Sequence, residues 1–352
     1  MKNKILFLYT EIAGYFVACL DKLVKQNVEV HLVRYPVNPE APFEFKLPVE
    51  VIDYQRQSFD YESLQTLVNS LKPSIVIACG WADKLYLKVL RKNKGSFVRI
   101  MTMDNWWEGT LKQQIARFLS PFFIKNAYDK IWIPGIPQLS FAKKIGFKDS
   151  DILFNFYSCD YELYNQYYQK YFENKKFNYP KRFIFVGRYI EAKGIDILWK
   201  AFESLQVEYP NDWELWCVGT GALWEQRVEH SKIKHFGFVQ PQEIGRLLEQ
   251  TGVFVLSSKF EPWGVVVHEY ATCGYPILCT YQTGAASAFV NEDENGYLFS
   301  AGDVENLKEK MLKFVKTTNE ELLKMSEISR KLAVKITPEI WTQTLIDILQ
   351  NK

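Results

Sequence analysis

Two glutamates, Glu261 and Glu269, frame the stretch of this chain best equipped for chemistry. The apolar run before them, Val253–Leu256, reads as a buried parallel strand. Glu261-Pro262 ends that strand, because a residue before proline is pushed out of the α region. Trp263-Gly264 is a tight turn, and a helix starts at about Val265 and Val266. Its first-turn N–H groups are unpaired and its end carries a partial positive charge. A helix start directly after a strand is a ready anion site. Glu261 lies before the helix and Glu269 about two turns into it, so the two carboxylates reach different parts of a bound molecule. Amides for a diphosphate and carboxylates for sugar and ribose hydroxyls make a nucleotide-sugar site in outline. The rival reading is an ordinary strand-turn-helix unit with two exposed glutamates, which parallel α/β sheets contain in numbers.

A second constellation lies upstream. A buried strand at 182–186 leads into Gly187-Arg188 and then Lys193-Gly194, followed by a helix. A guanidinium fork binds phosphate oxygens in two places, and lysine adds a point charge. Two exposed cations on a loop are the alternative. The next strand, 213–218, ends in Gly219-Thr220-Gly221. Trp224 stands where a dinucleotide fingerprint needs its third glycine, so that fingerprint fails. A turn that lets backbone approach a base or ribose remains. Residues 233–239 hold Gly237-Phe238-Val239.

The Glu261 stretch resembles the Glu-x7-Glu motif of family 4 glycosyltransferases, which have the GT-B fold. Gly187-Arg188 with Lys193-Gly194 resembles their Gly-Arg…Lys-Gly loop, and Asn295-Gly296-Tyr297 their Asn-Gly-hydrophobic strand. The matched blocks cover roughly 181–314. The resemblance implies an α/β chain with two Rossmann-like parallel-sheet domains facing a central cleft. Residues 1–160 would form the acceptor-side domain, 161–180, which read as an amphipathic helix, a linker and 181–336 the nucleotide-sugar-binding domain, with a helix at 337–352 packing back toward the first. It implies transfer, with retention, from a nucleotide-diphosphate sugar to a glycan or lipid-linked acceptor, in bacterial surface polysaccharide or glycoconjugate synthesis. Arg188, Lys193 and the amides near Gly264 and Val265 would hold the diphosphate. Glu269 would bind ribose and Glu261 would face the donor sugar. Gly14, Gly187, Gly219, Gly237, Phe238, Val239, Trp263 and Val266 complete the expected donor side. No metal or other cofactor is expected, since these cations neutralise the diphosphate. A nucleotide-sugar epimerase of the same fold and a non-catalytic nucleotide-sugar binder are the alternatives.

The elements that must position an acceptor lie in the first half. Strands at 5–9, 28–34, 49–54, 73–79, 97–102, 131–134 and 152–154 alternate with helices at 16–25, 61–71, to about 92, and 111–128 broken at Pro121. Ligands of such parallel sheets lie at the strands' C-terminal ends. Glu11, Asp83, Asp104, Asn105 and Trp106 occupy those ends and are the acceptor-side candidates. Many family members carry a histidine where Asp104 stands, which makes Asp104 the candidate catalytic acid on this side. Polar groups beside Trp106 and Trp107 suit gripping a sugar, and core tryptophans are the alternative. His31 reads as structural, 36–45 as a loop with three prolines, and Asp149-Ser150-Asp151 as a turn or cap. Residues 111–130 mix lysines and arginine with aromatics, the pattern of a membrane-surface segment. A core helix with solvated lysines is the rival there.

A net charge of +2 argues against nucleic acid as partner. No apolar run reaches about 18 residues, the span of a membrane helix. The first residues read as a buried strand rather than a signal peptide. The six cysteines include no Cys-x-x-Cys pair and suit a reducing cytosol. The expected location is cytoplasmic, with peripheral contact at the inner face of the plasma membrane.

Overall fold

The structure, a computed structural model, describes residues 2–36 and 43–351. Residues 37–42 of the expected proline-rich loop lie outside them. The chain divides into two compact units, Met1–Asp160 with Ile336–Lys352, and Tyr161–Lys335.

The first unit holds strands β1 (Asn3–Leu8), β2 (Val28–Arg34), β3 (Val51–Gln55), β4 (Ile75–Cys79), β5 (Val98–Thr102), β6 (Lys130–Trp132) and β7 (Ile152–Leu153). They form one parallel sheet in the order β3-β2-β1-β4-β5-β6-β7. Its helices are α1 (Gly14–Val24), α2 (Tyr61–Leu71), α3 (Lys84–Lys92), α4 (Leu111–Phe123) and α5 (Ile136–Lys144). Alternation along β1 explains why both faces are covered. Ile5 and Phe7 join a core with Phe16 and Leu20 of α1, Trp132 and Trp341. Leu6 and Leu8 join the opposite core with Leu64, Tyr86, Leu90 and Phe141.

The second unit begins with α6 (Tyr161–Phe177). Strands β8 (Arg182–Val186), β9 (Glu214–Val218), β10 (Ile233–His235), β11 (Val253–Leu256), β12 (Ile277–Thr280) and β13 (Gly296–Phe299) follow. Their parallel sheet has the order β10-β9-β8-β11-β12-β13. The other helices are α7 (Ile195–Glu208), α8 (Gly245–Leu248), α9 (Val265–Thr272), α10 (Ala286–Phe289), α11 (Val304–Lys316) and α12 (Asn319–Ala333). A last helix, α13 (Pro338–Gln350), returns to the first unit. Thr337 caps it by accepting the Ile340 amide. Trp341 stacks on Trp132 with ring centroids 5.0 Å apart, and Lys22 of α1 pairs with Glu339 at 3.0 Å.

Several expectations change. Residues 161–180 are no linker. Their helix packs on α8, α9 and α12, with Tyr164 and Phe172 buried and the Tyr167 hydroxyl on the Gln242 carbonyl at 2.9 Å. Four- and three-residue spacing of Tyr164, Tyr168, Phe172 and Lys175 puts these long side chains on one helix face. Helix α4 runs through Pro121, whose missing amide leaves the Arg117 carbonyl without its usual helical donor. Helix α5 was not foreseen; Pro137 in its first turn supplies a start signal. Strand β10 ends at His235, before Gly237 at φ +69°. Residues 241–249 are helical only at Gly245–Leu248.

Candidate active site

On the second unit, the loop after β8 is sewn to the turns after β9 and β11. The Gly187 amide donates to the Val218 carbonyl at 3.0 Å, and the Tyr189 amide to that of Thr220 at 2.8 Å. The Gly219 amide donates to the Gly237 carbonyl at 2.7 Å, which brings the β9 and β10 ends together. At the far end of the loop, Gly194 sits at φ +60° with the Ser257 carbonyl directly against it. A Cβ there would overlap that oxygen, so only glycine permits the approach. The Ser257 hydroxyl donates to the Lys193 carbonyl at 3.0 Å, and the Lys259 amide to that of Ala192 at 2.9 Å.

These contacts carry Lys193 to Glu261. Their side chains form an ion pair, and the Ser258 hydroxyl donates to the same Glu261 oxygen at 3.2 Å. The backbone of Glu261 is held as well. Its amide donates to the Gln282 carbonyl and its carbonyl accepts the Gly284 amide, each at 3.0 Å. Gly264, at φ +90°, then turns the chain into α9. No side chain caps that helix, so the Val265 and Val266 amides sit in a first turn that lacks intrahelical acceptors. One turn on, Glu269 shares a hydrogen bond with the buried Tyr164 hydroxyl from α6. Burial first, and then the Glu269 charge, push that phenol well above its usual pKa, so it stays a donor.

The ends of β8, β9 and β11 thus gather a lysine, two carboxylates, a helix start and close-packed glycine backbone. Arg188 stands exposed on the same loop. An anion arriving here competes with Glu261 for Lys193, and displacing the pair would free a carboxylate for hydroxyl groups. Trp263 departs from expectation as a donor contact. It is buried, with its ring edge-on to Phe289, and contributes through its backbone, whose carbonyl accepts the Ala285 amide at 2.8 Å. Phe238 and Val239 are half-buried beyond the Gly237 turn. Tyr164, Ser257 and Ser258 escaped the sequence reading. The aromatic spacing in α6 was the one available signal for Tyr164.

On the first unit, a cavity of about 570 Å³ opens at the C-terminal ends of β1, β4 and β5. Glu11, Asp104 and Asn105 line it, together with Tyr15, Tyr157 and Glu108. The Tyr157 hydroxyl donates to Asp104 Oδ2 at 3.0 Å, and Gln138 holds the Asp104 carbonyl at 3.0 Å. Tyr15 lies edge-on to Tyr157 at 5.5 Å. Burial, then neighbouring anionic groups, raise both phenols, so they serve as donors around the carboxylate.

Asp83 is not part of this cavity. Its carboxylate caps α3 through the Leu85 and Tyr86 amides, pairs with Arg56 at 2.7 Å and accepts the Tyr35 hydroxyl at 3.0 Å. Burial works to raise its pKa, and these partners together outweigh it and hold the acid ionised. A carboxylate at a strand end was legible in the sequence; that a helix cap and a distant arginine claim it was not. Trp106 does not line the cavity either; its carbonyl accepts the Gln113 side chain at 2.6 Å. Trp107 packs edge-on to Phe141 at 5.5 Å, as the core alternative held. Gly14 opens α1 with empty space beside it and stands outside the cavity lining. Asp149 and Asp151 lie in a single 3₁₀ turn and pair with Lys143 and Lys125.

Residues 169–332 match the family model described as glycosyl transferases group 1. An uncharacterised glycosyltransferase of Methanocaldococcus jannaschii is 27% identical over 44% of this chain and 44% of its own length. The lipopolysaccharide core biosynthesis glycosyltransferase LpsE of Rhizobium meliloti is 32% identical over 34% of this chain and 35% of its own. The chain therefore spans under half the length of these relatives in the matched stretch. Among solved structures, Anabaena HepE in complex with UDP and glucose superposes with a TM-score of 0.72 at 14% identity, covering 99% of this chain and 100% of that one. Residues 169–332 thus match glycosyl transferases group 1, within a chain that has the GT-B fold of two parallel-sheet α/β units.

Proposed function

We propose that this protein is a retaining glycosyltransferase that moves a hexose from a nucleoside-diphosphate sugar to a glycan or lipid-linked acceptor in surface polysaccharide or glycoconjugate synthesis. The observation that carries this reading is the joining of the Lys193 loop to Glu261 and the start of α9 by the Ser257 contacts. Arg188, Lys193 and the Val265 and Val266 amides hold the diphosphate and stabilise the charge it gains as the anomeric C–O bond breaks. No metal is required for that neutralisation, so chelator should leave turnover unchanged. Glu261 faces the donor sugar and Glu269, steadied by Tyr164, accepts the ribose hydroxyls. HepE, of the same fold, was solved with UDP and glucose, which supports a nucleotide-sugar donor. LpsE acts in lipopolysaccharide core biosynthesis, which supports a glycan-type acceptor.

The acceptor enters the cavity of the first unit, where Asp104 takes its hydroxyl proton as the new bond to the anomeric carbon forms. Release of nucleoside diphosphate from candidate donors, measured with and without added acceptors, tests the function. Release that depends on acceptor is expected. Epimerised donor without release would sink the reading in favour of an epimerase, and binding without turnover on any acceptor would favour a binder.

Two substitutions separate the roles. Asp104→Asn keeps the shape and the Tyr157 contact while removing the base, so turnover should fall by about 100-fold or more. Donor affinity and melting temperature should stay at wild-type values; a parallel fall in either makes Asp104 structural. Glu269→Gln should weaken nucleoside binding by about tenfold, since a neutral amide accepts hydroxyl hydrogen bonds less well. Tyr164→Phe should shift affinity in the same direction by less. Unchanged calorimetric affinity in Glu269→Gln, with a loss in Glu261→Gln, would reverse the two glutamate roles.

A further inference from the structure

Helix α4 has two faces of opposite character. Lys112, Gln113 and Ala116 line the first unit's cavity. Leu111, Ile115, Phe118 and Phe122 are 82, 59, 79 and 70% exposed. Projected at roughly 100° per residue, these four fall within about 60° of arc, on the side away from the cavity-lining residues. Leu119 widens the exposed stripe. Ser120 is the one buried side chain in the helix. A helix that buries so little cannot owe this pattern to a core, which excludes the rival reading of 111–130 over the span of α4.

The helix is also held firmly. Thr110 caps it through the Gln113 amide. The Gln113 side chain accepts the Glu108 and Gly109 amides at 2.8 and 2.9 Å and donates to the Trp106 carbonyl. Arg91 of α3 donates to the Phe123 carbonyl at 3.1 Å, securing the other end. The stripe is therefore a formed surface, and a contiguous exposed apolar patch of this kind marks an interaction site.

Charge selects the partner. Between Glu108 and Asp129 the chain carries Lys112, Arg117 and Lys125 and no carboxylate, and of these three cations Lys125 is paired with Asp151. Asp129 itself is paired with Arg99 at 2.6 Å. Apolar residues on one face with only cations flanking them fit a bilayer surface with anionic headgroups. Among the described residues no helix is long and apolar enough to cross a membrane, so contact through α4 would be interfacial. We propose that α4 docks this protein on an anionic lipid bilayer, with its apolar stripe in the headgroup boundary. The same helix walls the cavity, so docking sets that cavity beside the bilayer surface. This inference rests on the proposed transferase reading only for what the cavity receives.

Co-sedimentation of the full chain with phosphatidylcholine vesicles, with and without phosphatidylglycerol, tests the docking in the absence of any donor or acceptor. Wild type should bind the anionic vesicles at least about tenfold more strongly than neutral ones, and added salt should release it. The variant Leu111→Gln/Ile115→Gln/Phe118→Gln/Phe122→Gln should lose that binding by about tenfold or more, while keeping its melting temperature and nucleoside diphosphate affinity. Should four changes prevent folding, Phe118→Gln/Phe122→Gln gives the same readout in milder form. Equal sedimentation of wild type and variant, or no binding by wild type, overturns the proposal. A wild-type dimer that the variant converts to monomer, without vesicle binding, overturns it in favour of a second copy of the chain. Because neither readout needs turnover, failure here is distinct from failure of the transferase reading.

Discussion

Replacing Arg188 and Lys193 together by alanine should reduce nucleoside diphosphate affinity by at least about 100-fold. Each charge-assisted contact is worth about 1.5–3 kcal/mol, and 1.4 kcal/mol is a tenfold change in affinity. The two single variants should not lose equally. Arg188→Ala removes the guanidinium's contact with the diphosphate. Lys193 is paired with Glu261 before any ligand arrives, so binding first costs that ion pair, and Lys193→Ala removes both the cost and the gain. Lys193→Ala also leaves Glu261 without its cation beside an incoming anion, which adds repulsion. Adding Glu261→Gln to Lys193→Ala should therefore recover part of the lost affinity. Titration calorimetry on wild type and the four variants checks this. Unchanged affinity in both single variants removes the loop from the site, and no recovery in Lys193→Ala/Glu261→Gln means the ion pair has no bearing on binding.

Lys175→Met should raise the stability of the protein by about 2–4 kcal/mol at neutral pH. Lys175 is 3% exposed on the inner face of α6, and no carboxylate pairs with it among the described residues. Burial pulls its pKa down to about 7, with a small opposing influence from Cys273. The Tyr275 ring 3.7 Å from the ammonium recovers part of the desolvation cost. Between pH 7 and the ordinary lysine range, the unfolded chain binds a proton that the folded chain does not. Stability from this group therefore rises with pH across that window and is lowest, and flat, below it. Methionine has a similar length and no charge, so the variant should lose this slope while gaining stability. Urea unfolding of both proteins at several pH values from 6 to about 9 reads the difference. A variant less stable than wild type, or with the same pH slope, would show that Lys175 stays charged in the fold.

The sequence by itself determined many of the elements and which residues stand in the strand-end loops of the second unit. Val28–Arg34, Tyr61–Leu71, Arg182–Val186 and Val253–Leu256 were legible to the residue, because each is an apolar or periodic run bounded by turn residues or caps. The Gly187 to Gly194 loop and the Glu261 turn were legible because the chemistry there is local in the chain. Pairing across the chain was not. That Lys193 meets Glu261, that Tyr164 reaches Glu269, and that Arg56 and α3 consume Asp83 are decided by which strand ends lie side by side. A strand-end carboxylate looks the same in sequence whether it faces a cavity, as Asp104 does, or closes an ion pair, as Asp83 does. The exposed stripe of α4 has the same cause: its spacing was visible, but only packing tells an apolar face that is covered from one left open to solvent.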